Sequence, residues 1–183
     1  MKSILQTAKE LLLPALRPDG TAADFTMGNG HDTLFLSQSV PRGTVWAFDI
    51  QPAALQATAA LLAAHGAGEN VRLILDSHSN LDQYIRQPLD AGMFNLGYLP
   101  WADKTITTRR ETTLQAVGKA VDLLRPGGVL TIVVYPGHEE GRREGEALQQ
   151  RLSALDAKRY DVLLHRLIHV PDCPYILAVE RRK

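Results

Sequence analysis

Ten residues, Asp24-Phe25-Thr26-Met27-Gly28-Asn29-Gly30-His31-Asp32-Thr33, constrain the fold more than any other part of the chain. Upstream, residues 21–25 read as a short, largely apolar strand, and from His31 onward the run Leu34-Phe35-Leu36 suits a helix packing back on a sheet. Between them, Gly28 and Gly30 supply a tight turn and let a ligand approach bare backbone. A strand, a glycine turn and a helix start make a nucleotide-type site. The first turn of a helix presents unpaired N–H groups and the positive end of its dipole.

The spacing departs from the G-x-G-x-x-G of dinucleotide folds. Thr33 stands where that pattern has its third glycine, and Asp24 and Asp32 flank the turn. Two carboxylates repel a pyrophosphate and suit a ligand with cationic groups, such as the sulfonium and ammonium of S-adenosylmethionine. An NAD-dependent oxidoreductase is the weakest reading.

The rest of the chain supplies the framework. Residues 43–49 form a second strand ending in Asp49, 19 positions after Gly30 (49 − 30), where such folds hold a ribose hydroxyl pair. Ile50 and Gln51 follow, then a helix with Pro52 at its first position and its stop at Gly66. Residues 70–76 give a third strand ending in Asp76-Ser77-His78, residues 81–87 a helix, and residues 89–95 a fourth strand ending in Asn95. A helix spans 112–124, with apolar Leu114, Val117, Val121 and Leu124. The turn Arg125-Pro126-Gly127-Gly128 leads into an apolar strand over 129–135, and Pro136 to Gly141 into a charged helix over 142–156. The last two runs, 160–170 and 171–182, form a hairpin. This is a single domain, residues 1–183, of the doubly wound α/β class. A mostly parallel seven-stranded sheet carries an antiparallel C-terminal strand and binds ligands beyond its strand ends.

Composition narrows the setting. Twenty basic and 20 acidic side chains give zero net charge, unlike a general nucleic-acid coat, although a local patch suffices for RNA. One cysteine, Cys173, allows no internal disulfide, and no histidine pair has metal-ligand spacing together with further partners, so no metal is expected. The N-terminal apolar run is interrupted by Lys9 and Glu10 and is too short to span a membrane, so a cytoplasmic enzyme is expected.

The motifs DFTMGNGHDTLFL, FDIQ, DSH, NLGYLP, DKTITT and YPGHEEG stand in order from about residue 4 to residue 180. Together they resemble a small bacterial family of class I S-adenosylmethionine-dependent methyltransferases. It carries the label rRNA methylase and includes the tRNA 5-aminomethyl-2-thiouridine methyltransferases. The resemblance implies that Asp24, Thr26, Gly28, Asn29, Gly30, His31 and Asp32 hold the methionine part of the cofactor. It implies that Asp49, Ile50 and Gln51 take the ribose region and that Asp76, Ser77 and His78 take the adenine side. Asn95 through Pro100 would close the site, with Tyr98, Leu99 and Pro100 on the acceptor. Trp101-Ala102 stands where the family has two glycines.

Asn95-Leu96-Gly97-Tyr98 occupies the place of Asn-Pro-Pro-Tyr in amino-methylating enzymes of this fold. Methyl transfer is a direct displacement, so aiming the amine supplies much of the rate. Asn95 would orient the nitrogen and Tyr98 stack on the base. His138 or Asp103 would remove the proton that an aliphatic amine carries at neutral pH. The expected partner is tRNA, through its anticodon stem-loop. Lys104, Arg109, Arg110, Arg142 and Arg143 are the candidate phosphate contacts, although Arg142-Arg143 among glutamates fits a solvated helix face equally well. Another RNA position or a small molecule is the alternative acceptor, and a module that binds the cofactor without transfer is the alternative class. An apolar edge would allow a homodimer.

Overall fold

The computed structural model describes residues 2–97 and 110–183. Its first half runs α1 (Ile4–Leu12), β1 (Thr21–Asp24), α2 (His31–Ser39), β2 (Thr44–Asp49), α3 (Pro52–Ala64) and β3 (Val71–Leu75). A single 3-10 turn (His78–Asn80) leads into α4 (Leu81–Tyr84) and β4 (Leu89–Asn95). Then follow α5 (Arg110–Leu123), β5 (Leu124–Val134), α6 (Glu139–Ser153), β6 (Tyr160–His165) and β7 (Tyr175–Arg181). The strands form one sheet in the order β3-β2-β1-β4-β5-β7-β6. The first five are mutually parallel, and β7 lies antiparallel between β5 and β6.

Local chemistry sets the element ends. Ser3 and Gln6 form a capping box at the start of α1, and Pro52 opens α3 without a lost hydrogen bond. The expected helix at 81–87 is a single α-turn, because Ile85 turns extended and Gln87 precedes Pro88. The charged helix begins three residues earlier than its pattern suggests, because the His138 side chain caps it by accepting from the Gly141 N–H at 3.1 Å. The Arg125–Gly128 turn lies inside β5 as an irregularity, set between the Leu89↔Leu124 and Ala91↔Val129 pairs.

The sheet is covered on both faces, as a parallel sheet requires. One face packs Phe25, Phe48, Phe94, Leu130 and Ile132 under Leu81 of α4, Val117 and Val121 of α5 and Leu148 of α6. The other packs Val45, Ala47, Met93 and Val133 under Ala8 and Leu12 of α1, Leu36 of α2 and Ala54 and Leu62 of α3. At the edge away from the strand C-termini, the buried Asp90 carboxylate accepts from Arg17, Arg125 and the Thr21 N–H. Arg125 also donates to the Ala15 carbonyl at 2.8 Å, so Asp90 and Arg125 together tie the N-terminal segment, β1, β4 and β5.

Candidate active site

The glycine turn is fixed from three sides. Asp24, at the end of β1, is fully buried and accepts from the Thr33 hydroxyl at 2.7 Å and the Thr26 N–H at 3.1 Å. Asp49, at the end of β2, accepts from the Gly28 N–H at 3.1 Å and the Gln51 N–H at 3.0 Å. Thr58 of α3 donates to the Gly28 carbonyl at 3.2 Å. Gly28 and Gly30 have φ of 51° and 85°, and a Cβ on Gly30 would sit 2.9 Å from the Thr58 Cα. Glycine is required there on both counts. No side chain caps α2, so its first N–H groups are left to a ligand.

The turn carries less negative charge than its two carboxylates suggest, because Asp24 holds its proton more tightly than usual and Asp32 has a cationic partner. Burial, and then the neighbouring Asp32, push the Asp24 carboxyl up to about 7. Asp32 itself pairs with Lys9 of α1 at 2.9 Å.

The crevice opens where β1 and β4 part. The Phe25 N–H still donates to the Met93 carbonyl at 2.9 Å. In a regular parallel ladder the next bond would run from the Asn95 N–H to the Phe25 carbonyl. Instead the Asn95 N–H donates to the Thr26 hydroxyl at 2.7 Å, and the Phe25 carbonyl accepts from His78 Nδ1 at 3.0 Å. Two side chains thus replace one ladder bond at the point where the sheet order reverses, which is where open α/β sheets bind ligands. Burial holds the His78 imidazole below its ordinary range, so the ring is neutral with its proton on Nδ1. Phe25 and Phe94 stack at 4.5 Å beneath, with His78 edge-on to Phe94.

Around this centre, Asn29 and His31 are exposed on the turn, and Ile50 is exposed beside Asp49. Asp76 is committed to its own loop, accepting from the Ser77 N–H at 2.7 Å, Asn80 Nδ2 at 3.0 Å and the Tyr84 hydroxyl at 2.9 Å. Burial pushes its pKa up, but those bonds outweigh burial and hold it below the usual range. His138 has its Nδ1 lone pair in the α6 cap, which leaves the neutral ring no lone pair for a substrate proton while the cap holds. Arg142 and Arg143 pair with Glu139 on the exposed face of α6. Arg110, at the start of α5, lies near Glu111. Tyr98, Leu99, Pro100, Asp103, Lys104 and Arg109 lie outside the described residues. Among the described residues no group of His, Cys, Asp and Glu is arranged to hold a metal ion, and no helix is long and apolar enough to cross a membrane.

Three further residues border the turn and the crevice beyond those expected from sequence. Thr58 steadies the turn from α3. Lys9 reaches the turn from 22 residues before His31, a link that no local pattern reveals. Tyr135 closes β5, its half-buried ring 3.5 Å from where a Cβ on Gly97 would lie. Tyr135 was findable, because it stands at a strand C-terminus in a sheet that binds ligands there.

These residues fit S-adenosylmethionine. Bare backbone at Gly28–Gly30 and the uncapped start of α2 admit a polar tail. The Asp49 carboxylate spends two of its roughly four lone-pair positions on backbone and keeps the others for ribose hydroxyls. Exposed Ile50 offers an apolar wall beside it.

Comparisons with known proteins agree. A tRNA (mnm(5)s(2)U34)-methyltransferase of Arabidopsis thaliana chloroplasts is 33% identical over the whole chain, which spans 70% of that protein. The crystal structure of the Putative rRNA-methylase of Clostridium thermocellum superposes with a TM-score of 0.95 at 39% identity, covering 99% of this chain and 98% of that one. The Streptococcus mutans protein SMU.1697c, solved in complex with SAH, gives 0.90 at 36% identity, covering 99% of each. The family described as Putative rRNA methylase matches residues 45–181, and with the sheet order and the crevice in place the chain belongs to that family of class I methyltransferases.

Proposed function

We propose that this protein is an S-adenosylmethionine-dependent tRNA methyltransferase that methylates the amine of 5-aminomethyl-2-thiouridine at the wobble position. The observation that carries the reading is the whole-chain similarity to the chloroplast tRNA methyltransferase. The site geometry supports it, since Asn95 stands at the mouth of the cofactor crevice.

The cofactor supplies an activated methyl group on a sulfonium. The chain's own task is to aim the acceptor nitrogen along the line of displacement. Thr26 fixes the Asn95 backbone on the cofactor side, and the Leu96 N–H, bonded to the Val133 carbonyl at 3.0 Å, fixes the loop on the β5 side. The Asn95 side-chain oxygen then accepts from the amine and directs its lone pair. The dry aromatic floor of Phe25 and Phe94 disfavours the charged ammonium, easing loss of its proton. Tyr98, Leu99 and Pro100 are assigned to the base, Lys104, Arg109 and Arg110 to RNA phosphates, and Asp103 to the proton ahead of His138, whose lone pair is engaged in the cap. Arg142 and Arg143, already paired with Glu139, are the weaker phosphate candidates.

The test is nucleoside mass spectrometry on tRNA lacking the terminal methyl, incubated with the protein and S-adenosylmethionine. Conversion of 5-aminomethyl-2-thiouridine to its methylamino form is the expected result. Absence of conversion, with S-adenosylhomocysteine binding confirmed in the same preparation, refutes the tRNA assignment, and the same digest of rRNA tests the acceptor that the family's description names. Asn95→Ala should lower turnover by roughly a hundredfold while shifting cofactor affinity by less than about threefold. Equal losses in both would remove Asn95 from the transfer step.

A further inference from the structure

Lys9 reaches from α1 to the start of α2. Its Nζ lies 2.9 Å from Asp32 Oδ1 and 3.4 Å from the His31 carbonyl oxygen, above the Phe35 ring at 5.3 Å. Three quarters of the side chain is covered, against the usual habit of lysine, whose ammonium keeps to water. The result is a carboxylate and an ammonium side by side at a helix N-terminus that no side chain caps. That pair is the complement of an amino-acid zwitterion. Asp32 without Lys9 would attract an α-ammonium and repel the α-carboxylate bonded to the same carbon.

We propose that Lys9 is a cofactor-binding residue: its ammonium, with the first N–H groups of α2, takes the methionine carboxylate of S-adenosylmethionine, while Asp32 takes the α-amino group. The proposal rests on the S-adenosylmethionine reading of the site and extends that site to α1. Helix α1 then serves as one wall of the methionine end as well as a cover for the sheet.

Two ligands separate this role from a helix-to-helix stitch. S-adenosylhomocysteine carries the amino-acid end, and 5′-methylthioadenosine is a nucleoside thioether without it. Titration calorimetry on the whole chain would compare wild type with Lys9→Met, Lys9→Gln and Lys9→Arg. The two neutral variants should bind S-adenosylhomocysteine roughly tenfold more weakly, the loss expected for one charge-assisted contact. Their affinity for 5′-methylthioadenosine should stay within about twofold, and Lys9→Arg should recover most of the loss. Neutral variants that lose both ligands alike, or neither, overturn the proposal alone. A wild-type chain that binds neither ligand overturns the cofactor reading, and the proposal with it.

Discussion

Asp24 sets the electrical state of the turn. Its carboxyl titrates near 7 in the fold, against about 4 in an unfolded chain, because burial disfavours the charge and Asp32 adds repulsion. Between those two values the folded chain keeps a proton that the unfolded chain has released, so this group's contribution to stability falls as pH rises from about 4 to about 7 and is level above. Asp24→Asn should remove that slope. The difference in unfolding free energy, wild type minus the Asp24→Asn variant, should decline across the window in urea titrations. A difference independent of pH would mean that Asp24 is ionised in the fold throughout. The sequence shows that an acid precedes the glycines, but its protonation state depends on burial, which is a property of packing. Asp49 is a parallel case: its place at the end of the second strand was legible, whereas its bond to the Gly28 N–H was not.

At the scale of elements, the parting of β1 and β4 opens the crevice to which the proposed transfer step is assigned. Thr26 gives the Asn95 N–H an acceptor where the ladder can no longer do so. Thr26→Val removes that acceptor and leaves a part-buried N–H unpaired, a cost of about 1–3 kcal/mol. Single-turnover methylation should slow by roughly tenfold or more, because Asn95 moves relative to the cofactor, while S-adenosylhomocysteine affinity changes little. Thr26→Ser should restore the rate. Full transfer activity in the Thr26→Val variant would refute this coupling. The strands on either side of the crevice were readable from apolar runs that end in acids or Asn95. Their divergence was not, since it depends on a histidine 53 residues from the carbonyl it bonds. Nor did apolar spacing mark the start of α6, which His138 sets through a cap.

Over the whole molecule, the crevice and the ion-pair knot on Asp90 lie at opposite ends of the strands. Arg17, Arg125 and the Thr21 N–H meet on Asp90, far from the strand C-termini. Burial raises the Asp90 pKa, but the two arginines and the Thr21 N–H outweigh it and hold the carboxyl below its usual range. This contribution is therefore intact at neutral pH and lost as the solution is acidified below the ordinary carboxylate pKa. Asp90→Ala removes the acceptor that Arg17, Arg125 and the Thr21 N–H share and should cost about 1–3 kcal/mol in chemical denaturation, less than a fully buried pair because Arg17 stays half in water. S-adenosylhomocysteine affinity, measured under native conditions, should be unchanged. A parallel loss of affinity would show that the two ends of the strands are mechanically linked. The doubly wound α/β class followed from the alternation of strands and helices, whereas this knot joins positions 17, 21, 90 and 125, which no local pattern relates.

The placement of β7 between β5 and β6 has a consequence for biosynthesis. The strand that completes the β5 ladder, pairing Val129 through Val134 with Glu180 back to Tyr175, starts 41 positions after β5 ends (175 − 134), so it is translated well after its neighbour. Until Arg181 has emerged, the apolar flank of β5 has no neighbour, although every residue of the cofactor turn has long been translated. The nascent chain therefore carries an open, adhesive sheet edge from the time β5 is made until β7 follows it. A message truncated between Val134 and Tyr175 should yield a product that chaperones retain rather than release.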